Sequence, residues 1–181
     1  MSMARTSADF NKLLKTLSAR RSVRRFLDKD VEDEKIKALE RIFECLPSSM
    51  NARPWNVFII RDREKIKELG RRLLAVHKYS APVLNAPALA VVSVDENISK
   101  NHFVEDASIC AFALWLALSS LGLGAVWIAV CLPDSEIREE IVREFLGLSK
   151  KDRVICLLPF GYPAEKPAKR AAAERKFLKV L

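Results

Sequence analysis

The sequence predicts one globular domain of mixed helix and strand, of α/β or α+β class. Three observations lead there. Segments with helical apolar spacing alternate with short apolar runs of strand length along the chain. Five glycines and eight prolines in 181 residues leave no linker, repeat or low-complexity stretch to divide it. Half of the residues are hydrophobic and 30% are charged, the balance of a chain able to bury a core. Residues 1–181 therefore read as a single domain, with 171–181 an extended or partner-packing tail.

Residues 7–19 place Phe10, Leu13, Leu14 and Leu17 at i, i+3, i+4 and i+7, an amphipathic helix. A basic segment follows at 20–26, and Asp28-Lys29-Asp30 offers a capping site before a second helix over about 32–46. Ile36, Leu39, Ile42, Phe43 and Leu46 form the inner face of that helix, and Pro47 ends it. Residues 47–55 form an irregular loop. A short β-branched strand at 56–61 leads to Asp62, a cap for a helix reaching about His77. Pro82 and Pro87 bracket a turn. The apolar run 88–94 is a strand covered on both faces. A core helix spans 104–121 with Gly122 as its stop, and 125–131 is a third strand. The helix 135–146 turns Ile137, Ile141, Val142, Phe145 and Leu146 inward, and 153–160 is a fourth strand. Alternation of this kind suggests a doubly wound parallel sheet. No G-x-G-x-x-G follows a strand, however, and no Walker A motif is present.

Thirty-one Lys and Arg against 23 Asp and Glu give a net charge of +8, which favours anionic partners. Four dispersed cysteines in apolar surroundings (Cys45, Cys110, Cys131, Cys156) and two histidines offer no metal-ligand spacing. Free buried thiols in a reducing cytoplasm are expected, and residues 1–10 lack the apolar core of a signal peptide. Residues 107–133 contain no charge, long enough to cross a bilayer. Ser119-Ser120 and Gly122-x-Gly124 interrupt that run, and its flanks are acidic. It reads as buried helix, glycine turn and buried strand. His77 and His102 read as surface or structural residues and Trp55 as core.

The basic segment Arg20-Arg21-Ser22-Val23-Arg24-Arg25-Phe26 holds four arginines, one hydroxyl and two apolar anchors in seven residues. Arginine is a planar fork of donors that matches phosphate oxygens in pairs. If the segment is extended, Arg20, Ser22 and Arg24 share one side, while Arg25 faces solvent. On the residues alone, an anion site and a solvated charge cluster stand side by side.

Four blocks bear on the choice. The segment at 20–26 resembles the R-R-S-x-R-x-F of the nitroreductase family, the FMN-dependent NAD(P)H oxidoreductases. Pro47-Ser48-Ser49-Met50-Asn51-Ala52-Arg53-Pro54-Trp55 resembles the family's P-S-x-x-N-x-Q-P-W loop. Leu121-Gly122-Leu123-Gly124 with Trp127-Ile128, and Gly161-Tyr162-Pro163, resemble its L-G-L-G-x-x-W-I and G-Y-P blocks. The resemblance implies an α+β fold: a central, mainly antiparallel sheet of four strands among helices, with a possible fifth strand from a partner subunit. It assigns Arg20, Ser22 and Arg24 to the FMN phosphate and ribityl chain and Arg21 to the ring or ribityl. Pro47, Ser48, Ser49 and Asn51 reach the flavin of the other subunit of a homodimer. Ile128, Ala129 and Val130 supply backbone contacts to the flavin ring, and Trp127 packs beside it. Lys169 and Arg170, with Lys166 competing, return to the phosphate. The implied activity is ping-pong transfer from NADH or NADPH to nitroaromatic, quinone or flavin acceptors in the cytoplasm. The chemistry belongs to the flavin, so no catalytic side chain and no metal is named.

The chain departs from the pattern. Arg53 stands where glutamine is usual, Phe112-Ala113 replaces a frequent Gln-Asn pair while Asp106 is kept, and 65–87 matches no motif. The same fold and cofactor also serve dehalogenation, flavin destruction and azoline dehydrogenation, or a flavin carrier without turnover. A basic nucleic-acid-binding module is the non-enzyme alternative, but no stripe of cations with interleaved aromatics supports it. No nucleic-acid or membrane partner is expected.

Overall fold

The computed structural model describes residues 7–132, 136–168 and 177–180. Among these residues, six α-helices and five strands run in the order α1 (Ala8–Ala19), α2 (Asp33–Glu44), β1 (Trp55–Ile60), α3 (Arg63–Val76), α4 (Ala81–Leu84), β2 (Ala88–Asp95), α5 (Phe103–Ser120), β3 (Gly124–Ala125), β4 (Ile128–Ala129), α6 (Ile137–Leu146) and β5 (Asp152–Gly161). Local chemistry sets several boundaries. Ser7 Oγ accepts from the Phe10 N–H at 3.1 Å, and Asp62 accepts from the N–H groups of Glu64 and Lys65. Gly122, at φ 77°, turns the chain after α5 in a conformation that side chains disfavour.

The sheet is antiparallel in the order β1-β2-β5-β3, with β4 also on β5. The parallel sheet suggested by simple alternation is not what forms. The expected strand at 125–131 is two short strands end to end on one edge of β5, which brings the sheet to five strands. A bulge on β5 at Ile155, opposite Val92/Ser93, lets its carbonyl accept from both Val130 and Cys131.

Both faces of β2 and β5 are covered, as their near-continuous apolar sequence requires. Ala88, Ala90, Val92 and Val94 face α5, packing with Ala107, Cys110, Ala111, Leu114 and Leu118. Leu89 and Val91 face the other layer, with Ile66, Leu69 and Leu73 of α3 and Val142 of α6. Helix α5 is long and apolar enough to cross a membrane. Its inner face is instead seated on the sheet as part of this core.

Three expectations change. No residue of α1 is buried: Phe10, Leu13 and Leu14 stand about half exposed, because little of this chain covers their stripe. In α6, Ile137 is half exposed, while Arg138 and Glu139 are buried because each finds polar partners inward. The thiol-bearing residues are not all in apolar surroundings, since Cys45 is exposed at the end of α2. Cys110 and Cys156 are buried, and burial pushes the Cys110 thiol up to about 12, so it is inert.

Candidate functional site

The basic segment is extended, and a close approach holds it to the sheet. Ser22 bridges Ala125 in parallel, and the Val23 N–H donates to the Ala125 carbonyl at 2.9 Å. Gly124 permits this contact: a Cβ there would lie 2.6 Å from Val23 Cβ. On its other side the segment is held by the chain leaving β5. Leu27 donates to Tyr162 O at 2.8 Å and Ala164 donates to Arg25 O at 2.9 Å. The L-G-L-G and G-Y-P blocks thus meet the arginine segment in space, one on each flank.

Arg20 follows the last residue of α1, and its guanidinium lies 4.1 Å from the Trp115 ring centroid. Trp115 in turn donates its Nε1–H to Ala125 O at 3.1 Å, which fixes the ring that supports the arginine. Glu165 Oε1 accepts from the Arg24 N–H at 2.6 Å and the Arg25 N–H at 3.3 Å, and Oε2 pairs with Arg25 Nε at 3.1 Å. These donors, the Arg24 N–H foremost, hold the Glu165 carboxyl below its usual range. Glu165 thereby occupies the Arg25 side and the backbone. Among the described residues, Arg21, Arg24 and Lys166 form no ion pair.

Two cavities adjoin the arginines of this segment. The first, about 540 Å³, is lined by Arg20, Arg21, Ser22, Arg24, Glu165 and Lys166. The second, about 450 Å³, is lined by Arg24, Lys78, Tyr79, Asn85, Trp127 and Ile128, among others. Arg24 borders both. One is cationic and the other combines aromatic rings with cations. Each lies in the size range of small-molecule sites.

The remaining candidates distribute unevenly. Ile128 lines the second cavity. Ala129 does not, and its carbonyl accepts from the buried Arg138 at 2.9 Å. Val130 is fully buried and gives its N–H to Ile155 O at 3.0 Å, so that donor is taken by the sheet. Pro47, Ser48, Ser49 and Asn51 border neither cavity. Lys169 and Arg170 lie outside the described residues.

The loop bearing Ser48 to Asn51 is nevertheless built with care. Met50, Asn51 and Arg53 all have positive φ (52°, 55° and 48°), a costly choice for residues with side chains. Asp106, 2% exposed at the start of α5, accepts from the Ser49 N–H at 2.9 Å and the Ser99 hydroxyl at 2.7 Å. Ser48 Oγ accepts from the Arg53 N–H at 2.8 Å. The loop presents Met50, 95% exposed, outward. Exposed Ile109 and Phe112 of α5 and the half-exposed stripe of α1 add further uncovered apolar surface.

Sequence reasoning missed three parts of this arrangement. Trp115 looks like any core aromatic, and Glu165 carries no motif. Arg138 and Glu139 sit where a solvated helix face is expected, yet Glu139 takes Arg153 Nε at 2.8 Å and the Val154 N–H at 2.9 Å. That network ties α6 to β5 behind β4. The pair of adjacent opposite charges in α6 is the one signal the sequence offered.

The arrangement has counterparts. The nitroreductase family model matches residues 17–85 and 71–162, which contain the basic segment, the 47–55 loop, the L-G-L-G block and Gly161-Tyr162 of the last block. A protein of Methanothermobacter thermautotrophicus, provisionally named NADH dehydrogenase/NAD(P)H nitroreductase, is 34% identical over 87% of this chain and 81% of its own length. A crystal structure from Parabacteroides distasonis with the same provisional name superposes with a TM-score of 0.84 at 33% identity, covering 94% of this chain and 98% of that one. An FMN-dependent nitroreductase of Clostridium difficile superposes at 0.79 with 29% identity over 92% and 96% of the two chains. Sequence and superposition agree, and the chain belongs to the nitroreductase family.

Proposed function

We propose that this protein is a homodimeric, FMN-dependent oxidoreductase that uses NADH or NADPH to reduce nitroaromatic, quinone or flavin-type acceptors in the cytoplasm. The observation that supports it best is the pair of cavities sharing Arg24, one cationic and one aromatic, as a ligand with a phosphate at one end and a flat ring at the other requires. The residues fit that group. Arg20, Arg21, Ser22, Arg24 and Lys166 supply charge and hydroxyl donors for a phosphate and polyol chain. Trp127 and Ile128 border a ring-sized space on the edge of the sheet. FMN, when bound, supplies the hydride chemistry between nicotinamide and acceptor.

What the chain itself does is bind, orient and exclude water. Trp115 and Ala125 hold Arg20 and Val23 in place, and Glu165 keeps Arg25 turned away from the cationic cavity. The strained 48–53 loop, anchored by Asp106, is a rigid element for contacting the second subunit. The apolar faces of α1 and α5 provide surface for that contact.

The visible spectrum tests the reading. Purified protein is expected to be yellow, or to become so with added FMN, and to bleach anaerobically with NADH or NADPH. A protein that takes up no FMN and oxidises neither nicotinamide would overturn it.

A further inference from the structure

The cavity beside Trp127 has a wall that no family motif explains. Residues 77–85 supply it, between α3 and β2, and they hold Lys78 and Tyr79 on a tight turn. That turn is firmly seated. Ser80 is fully buried, donates its N–H to His77 O at 2.9 Å, and places its Oγ 3.1 Å from His77 Nδ1. Pro82 lies in the first turn of α4, and Val83 is buried beneath it. Onto this base Lys78 and Tyr79 project exposed side chains. The His77 ring stands edge-on to Tyr79 with centroids 5.4 Å apart, and Lys78 Nζ lies 5.1 Å from the Tyr79 ring centre.

The charge of this cavity is one-sided. Its lining includes Arg24 and Lys78 but no Asp or Glu. Among the described residues, neither cation forms an ion pair. By contrast, Arg25, Arg61, Arg63 and Arg72 each reach a carboxylate. Burial, then Arg138, pushes the His77 pKa down, which disfavours its charged form. Two aromatic rings, Tyr79 and Trp127, complete the lining. Unpaired cations beside aromatic faces, in a concave site without competing carboxylates, select a flat ring carrying negative charge.

We propose that the space this cavity leaves beside a bound flavin ring is specific for aromatic ligands bearing a carboxylate or phosphate, with Lys78 holding the anion and Tyr79 packing on the ring. The proposal rests on the oxidoreductase reading above and adds the substrate class. The anion has two possible sources, a carboxylate on the electron acceptor or a phosphate on the hydride donor.

Redox-silent probes give the cleanest test. FMN-loaded protein is titrated with benzoate and with benzamide, its neutral counterpart, following the perturbation of the flavin spectrum. Benzoate is expected to bind about tenfold more tightly or better. Lys78→Gln removes that preference and leaves benzamide affinity unchanged, whereas Tyr79→Leu weakens both probes alike. A parallel comparison of NADPH and NADH locates the source. A Lys78→Gln effect confined to NADPH assigns the anion to the donor, and one seen with benzoate assigns it to the acceptor. Yellow, nicotinamide-oxidising protein in which Lys78→Gln changes neither comparison overturns the proposal alone. Protein that takes up no FMN overturns the oxidoreductase reading and the proposal together.

Discussion

Arg24 is where the two cavities meet, and its side chain is exposed with no ion pair among the described residues. Its backbone N–H, not its guanidinium, makes the contact to Glu165. Removing the side chain should therefore leave the fold intact and act on the ligand. Arg24→Ala is expected to weaken FMN binding at least tenfold, since a hydrogen bond to a charged group contributes about 1.5–3 kcal/mol. Its thermal midpoint should stay within about 2 °C of the parent. Equilibrium titration of flavin fluorescence and a melting curve check both parts, and unchanged affinity would contradict the role. At this scale the sequence was informative where side-chain chemistry is local, as in four arginines and a serine within seven residues. It was silent where a contact joins distant residues. Glu165 is 141 positions from Arg24, and only folding brings the G-Y-P flank to the segment. Glu32 and Tyr162 behave alike: the Tyr162 hydroxyl, first among several causes, holds the Glu32 carboxyl down at about 2.

The loop between α2 and β1 shows how one buried side chain can organise an element. Both Asp106 oxygens are used, on the Ser49 N–H and the Ser99 hydroxyl, and the loop they hold contains three positive-φ residues with side chains. Such a conformation persists only when its surroundings over-determine it. Asp106→Ala leaves two donors without their acceptor in a largely buried place, which is expected to cost about 2 kcal/mol. Asp106→Asn should recover about half of that. Its Oδ1 can still accept from Ser49, and the Ser99 hydroxyl can rotate to accept from the new amide. Urea midpoints of the three proteins check the order, and equal midpoints for the two variants would refute it. Element boundaries were largely legible, because Ser7, Asp62, Pro47 and Gly122 punctuate the chain by local chemistry. The splitting of β3 from β4 was not. It depends on how Val126 and Trp127 meet β5 and on the bulge at Ile155, neither of which a period-2 pattern records.

At the scale of the whole molecule, the least satisfied surface is apolar. The α1 stripe, Met50 of the strained loop and Ile109 and Phe112 of α5 are all exposed, although helices normally turn such faces inward. The spacing of Phe10, Leu13 and Leu14 correctly marked a helix, but it could not reveal that the fold leaves this stripe uncovered. The antiparallel sheet order was hidden for the same kind of reason, since alternation of elements fixes neither strand direction nor partner. The proposed homodimer would account for this surface and for the position of Ser48, Ser49 and Asn51, which border neither cavity. Phe112→Glu places a carboxylate on the α5 face, where pairing would strip it of water without a compensating cation. A desolvated, unpaired charge costs several kcal/mol, so dimer affinity should fall by about a hundredfold or more. In gel filtration at low micromolar concentration the variant is expected to elute at monomer mass, and to lose its yellow colour with its partner. A variant that elutes as a monomer yet keeps stoichiometric flavin would show the site to be complete within one chain. One that remains a dimer would show that α5 does not form the contact.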